Sequence, residues 1–406
     1  MVSDVIKRGL AFIRRQQRPF KVNMIRASTN TFLQQLTTQY RSVYILRLGA
    51  TPLQLGLINS IGGIVATAIS PLTGWLADRC GIRKMFLIST PPMVLSSALF
   101  AMAFDWTWTV PAMFLAFLAL QILNTVCPMV CGNYLKNEER ATGKQLCDTL
   151  SAIPGLVAPI VAATLASRFG GLSTEGIRPL YVLQTLGFLV VLGFTYRFYF
   201  DTPREQAVVQ SSFFGGVRRV FKEGTAVKRW IIYRFLSSAT MYLSATYLWA
   251  FVTEVKHGDE FVVGMMTTAS FVLPLLLSLF LGRLADTVGR KRVLYATIPL
   301  YCASLLLLVY ANSAIMILVS AVLQGFLLLS AVTEGAITAE LMPVSLLGKW
   351  YGILNLFRGL AGTAVPAIGG IIWVTIGPSF IFILMIVTEI CKLTILWLAI
   401  PETLLR

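Results

Sequence analysis

The chain has 406 residues, 56% of them hydrophobic and only 13% charged, with a mean hydropathy of +0.74. That is far more apolar side chain than one water-soluble core can hide, which excludes an ordinary soluble domain and points to an all-α membrane protein. The formal net charge of +16 does not signal nucleic-acid binding, because each basic cluster abuts an apolar run and none interleaves with aromatics on a separate domain.

Twelve stretches are apolar and long enough to cross a bilayer as helices: 22–46, 52–76, 84–104, 109–133, 145–168, 179–199, 229–252, 261–284, 292–311, 314–340, 348–374 and 378–400. Before the first lies a basic segment with Lys7, Arg8, Arg14, Arg15, Arg18 and Lys21. It lacks a short apolar block ending in a small-residue cleavage site, so no cleaved signal is expected. Even-numbered loops hold Arg79, Arg83, Lys84 and Arg290, Lys291, Arg292, whereas the odd-numbered loops hold only Arg47, Arg168, Arg178 and Lys256. By the positive-inside rule both termini and the central loop are cytoplasmic, as in a multi-pass protein of the cell membrane.

Cys80, Cys127, Cys131, Cys147, Cys302 and Cys391 show no paired framework, and His257 is the sole histidine. No metal site or cofactor is expected, and the cysteines read as small apolar packing groups. No nucleophile and base pairing or nucleotide loop points to an enzyme.

The segment Gly74-Trp-Leu-Ala-Asp-Arg-Cys-Gly-Ile-Arg-Lys84 packs charge into one tight turn between two spans, and Gly282-Arg-Leu-Ala-Asp-Thr-Val-Gly-Arg-Lys291 repeats it. The offset is constant: 286 − 78, 289 − 81, 264 − 56 and 234 − 26 all equal 208. Two six-helix bundles follow, 1–199 with its basic N-terminal helix and 229–406, joined by a cytoplasmic linker at 200–228. In that linker Phe213, Phe214, Val217, Val220 and Phe221 recur at helical spacing opposite Arg218, Arg219 and Lys222, as in a helix lying in the headgroup region. Internal repeats of this kind let secondary transporters build a midplane site between two rocking bundles.

The first span is unusually polar. Arg26, Asn30, Gln34, Thr37 and Arg41 share one helical face, and the 208 offset carries Arg26, Asn30 and Gln34 onto Arg234, Ser238 and Tyr242. Such stripes need a wet cavity or protein beside them, since lipid leaves polar groups unsatisfied. Gly56, Gly62 and Gly63 on the second span and Gly359, Gly362, Gly369 and Gly370 on the eleventh suit close helix approach.

The two turns resemble the signature loop of the major facilitator superfamily. The first copy matches at Gly74, Asp78, Arg79, Gly81, Arg83 and Lys84, and the second at Gly282, Asp286, Gly289, Arg290 and Lys291. Glu340 to Pro343 and Gly348 to Gly352 are similar to that superfamily's connection between the tenth and eleventh spans. The resemblance implies a twelve-helix fold working by alternating access, with Asp78 and Asp286 latching the outward-facing state. It also implies a central cavity between the first, fourth, seventh and tenth spans, adding Gln121, Asn124 and Gln324 to the candidate substrate-facing residues. Ile153 to Pro159 and Ala364 to Gly370 faintly resemble the fifth-span motif of drug and proton antiporters. Against that, the first span has no acid and the fourth has no Arg near Gln121.

Within the spans, Arg26, Arg41, Arg234, Arg358 and Lys392 face Asp148, Glu334 and Glu389, a surplus of two positive charges that favours an anionic or strongly polar solute. Glu334, then Glu389 and Asp148, are the candidates for carrying a proton through the cycle, and Arg358 and Lys392 are their candidate charge partners. The expected protein is a monomeric secondary transporter of a small polar or anionic solute, with proton coupling open. Efflux of amphipathic drugs and lipid scrambling are the alternatives.

Overall fold

The computed structural model describes residues 15–135, 140–199, 225–343 and 346–400. They form thirteen α-helices and one 3-10 turn, Trp106–Trp108. The helices are α1 (Arg18–Thr37), α2 (Arg41–Arg47), α3 (Pro52–Met102), α4 (Thr109–Tyr134), α5 (Arg140–Arg168), α6 (Thr174–Phe198), α7 (Thr225–Glu254), α8 (Glu260–Ser270), α9 (Val272–Val288), α10 (Arg290–Tyr310), α11 (Ala314–Glu340), α12 (Leu347–Thr375) and α13 (Ser379–Ala399). Most of the N-terminal basic segment and the amphipathic linker stretch lie outside the described residues.

Among the described residues, ten stretches are long and apolar enough to cross a membrane. The two expected spans that fall short are those with the polar stripes, α1 with α2, and α7. Two spans expected to be single helices are also broken. The first bends at 38–40, where the Thr38 hydroxyl donates to the Gln34 carbonyl at 2.7 Å and competes with the backbone ladder. The eighth breaks at Phe271 between α8 and α9, because Pro274 has no N–H to offer the Ser270 carbonyl four residues back.

Both signature turns rest on a glycine in a conformation other residues avoid. The long α3 is in fact two helices that meet at Gly81 (φ 79°), and α9 passes to α10 through Gly289 (φ 118°). The basic residues that follow anchor the turns. Arg83 donates to the Tyr196 carbonyl in the last turn of α6 at 2.9 Å, and its repeat mate Lys291 donates to the Ile400 carbonyl just past α13 at 2.7 Å. Cations therefore satisfy helix C-terminal carbonyls at equivalent places in both repeats.

The chain forms two compact units, one of Met1–Tyr44 with Ala68–Glu205 and one of Ile45–Thr67 with Gln206–Arg406. In the first, α1 packs on α5 and α6. Gly155 of α5 sits against Thr31, Gly187 of α6 against Leu33, and Gln184 donates to the Leu33 carbonyl at 2.9 Å. In the second, α7 packs in the same way on α12 and α13. Its apolar core gathers Trp230, Tyr233, Ile298, Trp350 and Leu396, and the indoles of Trp230 and Trp350 both bond to Thr338.

The start of α3 belongs to this second unit. Gly56 lies on Pro366 and Tyr247, Gly63 lies on Gly359, Gly362 and Thr363, and the Tyr247 hydroxyl donates to the Pro366 carbonyl at 2.6 Å. A half-exposed ion pair, Arg47 to Glu254 at 3.1 Å, joins the ends of α2 and α7. Exposed pairs of this kind contribute about 1 kcal/mol or less, so the glycine contacts hold this packing.

Candidate functional site

The second unit contains a cluster of four charges on three helices, three of them buried and the fourth, Arg234, partly exposed. α7 presents Tyr233, Arg234 and Ser237, which the helical repeat gathers toward α11 and α13. α11 supplies Glu334, while α13 supplies Glu389 and Lys392 three residues apart. Lys392 is 0% exposed, Glu389 1% and Glu334 2%.

Lys392 Nζ is the hub. It lies 2.9 Å from Glu389 Oε2, 3.1 Å from Glu389 Oε1 and 3.2 Å from Glu334 Oε1. Glu334 also pairs with Arg234 and accepts from Ser237 Oγ at 2.9 Å and Tyr233 OH at 3.1 Å. Two cations and two carboxylates sum to zero charge, and each carboxylate is bonded. That is what lets ionised groups persist where an isolated charge would cost several kcal/mol. Any change in protonation upsets the balance by one full charge in apolar surroundings.

The sequence-derived residues distribute unevenly around this centre. Arg234, Glu334, Glu389 and Lys392 come together in it. Arg358 does not: it lies by Met241 Sδ at 3.9 Å rather than by Glu334. Gly359, the next residue of α12, turns inward onto Thr67 of α3, which directs Arg358 to another side of the helix. Ser238 Oγ is spent on the Arg234 carbonyl, Tyr242 packs across Gly362, and Gln324 donates to Ser320 Oγ at 3.2 Å.

In the first unit Arg26 is 3% exposed. It bonds Asn23 Oδ1 at 3.0 Å and stacks 3.9 Å from the centroid of Phe86. Asn30, Gln34 and Gln121 are half-buried and Asn124 is exposed. Gln34 and Arg41 meet at a small pocket with Tyr181 and Gln184. In the signature turns Arg290 pairs with Glu340 at 2.7 Å, Lys84 is exposed and Gly282 faces open space. The side chains of Asp78, Arg79, Asp148 and Asp286, and the surroundings of Gly74, lie outside the described residues.

Reasoning from sequence missed Tyr233 and Ser237. Their signal is position, one residue before and three after Arg234, within reach of whatever that arginine binds.

The family model of the Major Facilitator Superfamily matches residues 22–259 and 230–405. The chain is 24% identical over 377 residues to the multidrug resistance protein MdtG of Yersinia enterocolitica, covering 86% of this chain and 84% of the relative. Among solved structures, a point mutant of the nucleoside transporter NupG superposes with a TM-score of 0.78 at 14% identity, covering 93% of this chain and 98% of the other. A D-xylose-proton symporter gives 0.74 at 15% identity, covering 95% and 99%. At such low identity the solved structures establish the fold, and the family match extends over nearly the whole chain. The chain belongs to the Major Facilitator Superfamily, and is a membrane transporter, not an enzyme.

Proposed function

We propose that the protein is a proton-coupled secondary transporter that moves a small polar or anionic organic solute by alternating access between its two six-helix bundles, with both termini cytoplasmic. The observation that carries this reading is the cluster of Glu334, Lys392 and Glu389, all buried, with the partly exposed Arg234. One added proton converts its zero charge to +1 in a low-dielectric interior, a state that needs a compensating anion or incoming water. Proton uptake is thereby linked to solute arrival or to separation of α7, α11 and α13. Glu334 is the first proton carrier and Glu389 the second, since both contact Lys392 and either can release it. Asp78 and Asp286 act as the latch between the bundles.

The test is flux. Purified protein in liposomes with an imposed pH gradient and a lumenal pH dye will show proton movement when offered organic anions, and little with amphipathic cations. The relatives' name, multidrug resistance protein, favours a second reading, efflux of amphipathic drugs. Proton flux evoked by amphipathic cations alone would establish that reading and overturn the first.

A further inference from the structure

The first unit holds a separate cavity whose lining is half apolar, from α1, α2, the second part of α3, α4 and α6, with Gln34, Arg41, Ser96, Ser97, Tyr181 and Gln184 as its polar residues. Its free space is about 30 Å³, room for about two waters or one compact ion. Its floor is rigid, with Tyr181 stacked on Phe100 at 4.8 Å between ring centroids.

Most polar groups there are already committed. Ser96 Oγ donates to the Ala112 carbonyl, Ser97 Oγ to the Met93 carbonyl, and Gln184 Nε2 to the Leu33 carbonyl. Two donors are not. The Tyr181 hydroxyl, on a residue only 1% exposed, and Arg41 Nε are buried with no hydrogen-bond partner. The Arg41 guanidinium lies close beside that hydroxyl oxygen, and the hydroxyl proton has no acceptor. Among the described residues no carboxylate pairs with Arg41. The acids of this unit with described side chains are Asp105, which caps the 3-10 turn, and Glu175, in the first turn of α6. A buried O–H and a guanidinium N–H left unspent beside one cavity, with a positive charge unopposed among the described residues, form a receptor for negative charge.

We propose that this cavity binds one compact monoanion between Arg41 and the Tyr181 hydroxyl. The anion is either a free halide or the carboxylate end of a solute, and the second source rests on the proposed transport of an anionic solute. Binding rather than flux is the readout, so a failure here leaves the transport reading intact, and the converse holds.

The experiment titrates detergent-purified protein with sodium chloride, bromide, acetate or a bulky organic sulfonate at constant ionic strength, following thermal stability. Saturable stabilisation by a compact anion and not by the sulfonate is expected. Arg41→Gln will weaken the apparent affinity by at least roughly tenfold and Tyr181→Phe, which keeps the ring, by a smaller factor. Stabilisation by halide identifies the free ion, and by acetate without halide the solute carboxylate. Anomalous diffraction from bromide-soaked wild-type crystals will place the ion between the two side chains in the halide case, with no variant needed. Equal responses to all four salts, or unchanged affinity in Arg41→Gln, would overturn the proposal.

Discussion

Replacing Lys392 with methionine will destabilise the protein by about 3–5 kcal/mol, the usual consequence of removing one partner from a buried ion pair. Lys392 is fully buried and donates to both carboxylates. Without it the cluster carries two acids against Arg234 alone. Thermal or denaturant unfolding in detergent measures the loss, and transport will fall with it. The double variant Lys392→Met with Glu389→Gln restores neutrality, leaving the Arg234 and Glu334 pair, and will recover most of the lost stability. A single variant as stable as wild type would show that the four groups are not electrostatically coupled.

Gly63→Ala is expected to have the next largest effect. A methyl group there would come within 2.6 Å of the Gly359 carbonyl oxygen and closer still to the backbones of Gly362 and Thr363. Because the obstacle is backbone, no side chain can swing aside, and α3 must move off α12. Overpacking of this kind costs about 1–3 kcal/mol. The displacement also pulls Gly56 from Pro366, where Tyr247 is bonded. Transport should fall severalfold, and spin labels at the ends of α3 and α12 should report a longer or broader distance. Gly193→Ala is the control: nothing lies within 4 Å of a methyl group there, and alanine favours the helix by about 1 kcal/mol. Equal tolerance of both substitutions would contradict the close approach.

Much of this architecture is visible in the sequence because it is written twice. The 208-residue offset pairs Gly81 with Gly289 and Arg83 with Lys291, and both pairs do matching work, a positive-φ turn and a bond to a helix-end carbonyl. Local chemistry of this sort needs no knowledge of distant packing. The partners of the buried charges do need it. Arg26 and Arg234 occupy the same register, yet one lies on Asn23 and Phe86 and the other on Glu334. Glu334 meets Arg234 and Lys392 rather than Arg358 because Gly359 must face α3, a constraint set by a helix far earlier in the chain. The i, i+3 pairing of Glu389 with Lys392 lies within one helix and is legible from spacing alone. The breaks at 38–40 and 271 reflect threonine and proline side effects that hydrophobic length does not register.

If the charge cluster carries the proton, Glu334→Gln in liposomes will separate solute movement from the pH gradient. Glutamine keeps a side chain able to accept from Ser237 and Tyr233 but cannot gain or lose a proton. With the solute identified by the flux screen, this variant will still exchange labelled for unlabelled solute across the membrane and will no longer accumulate it in response to a pH gradient. Undiminished gradient-driven accumulation by Glu334→Gln would contradict that role for the cluster.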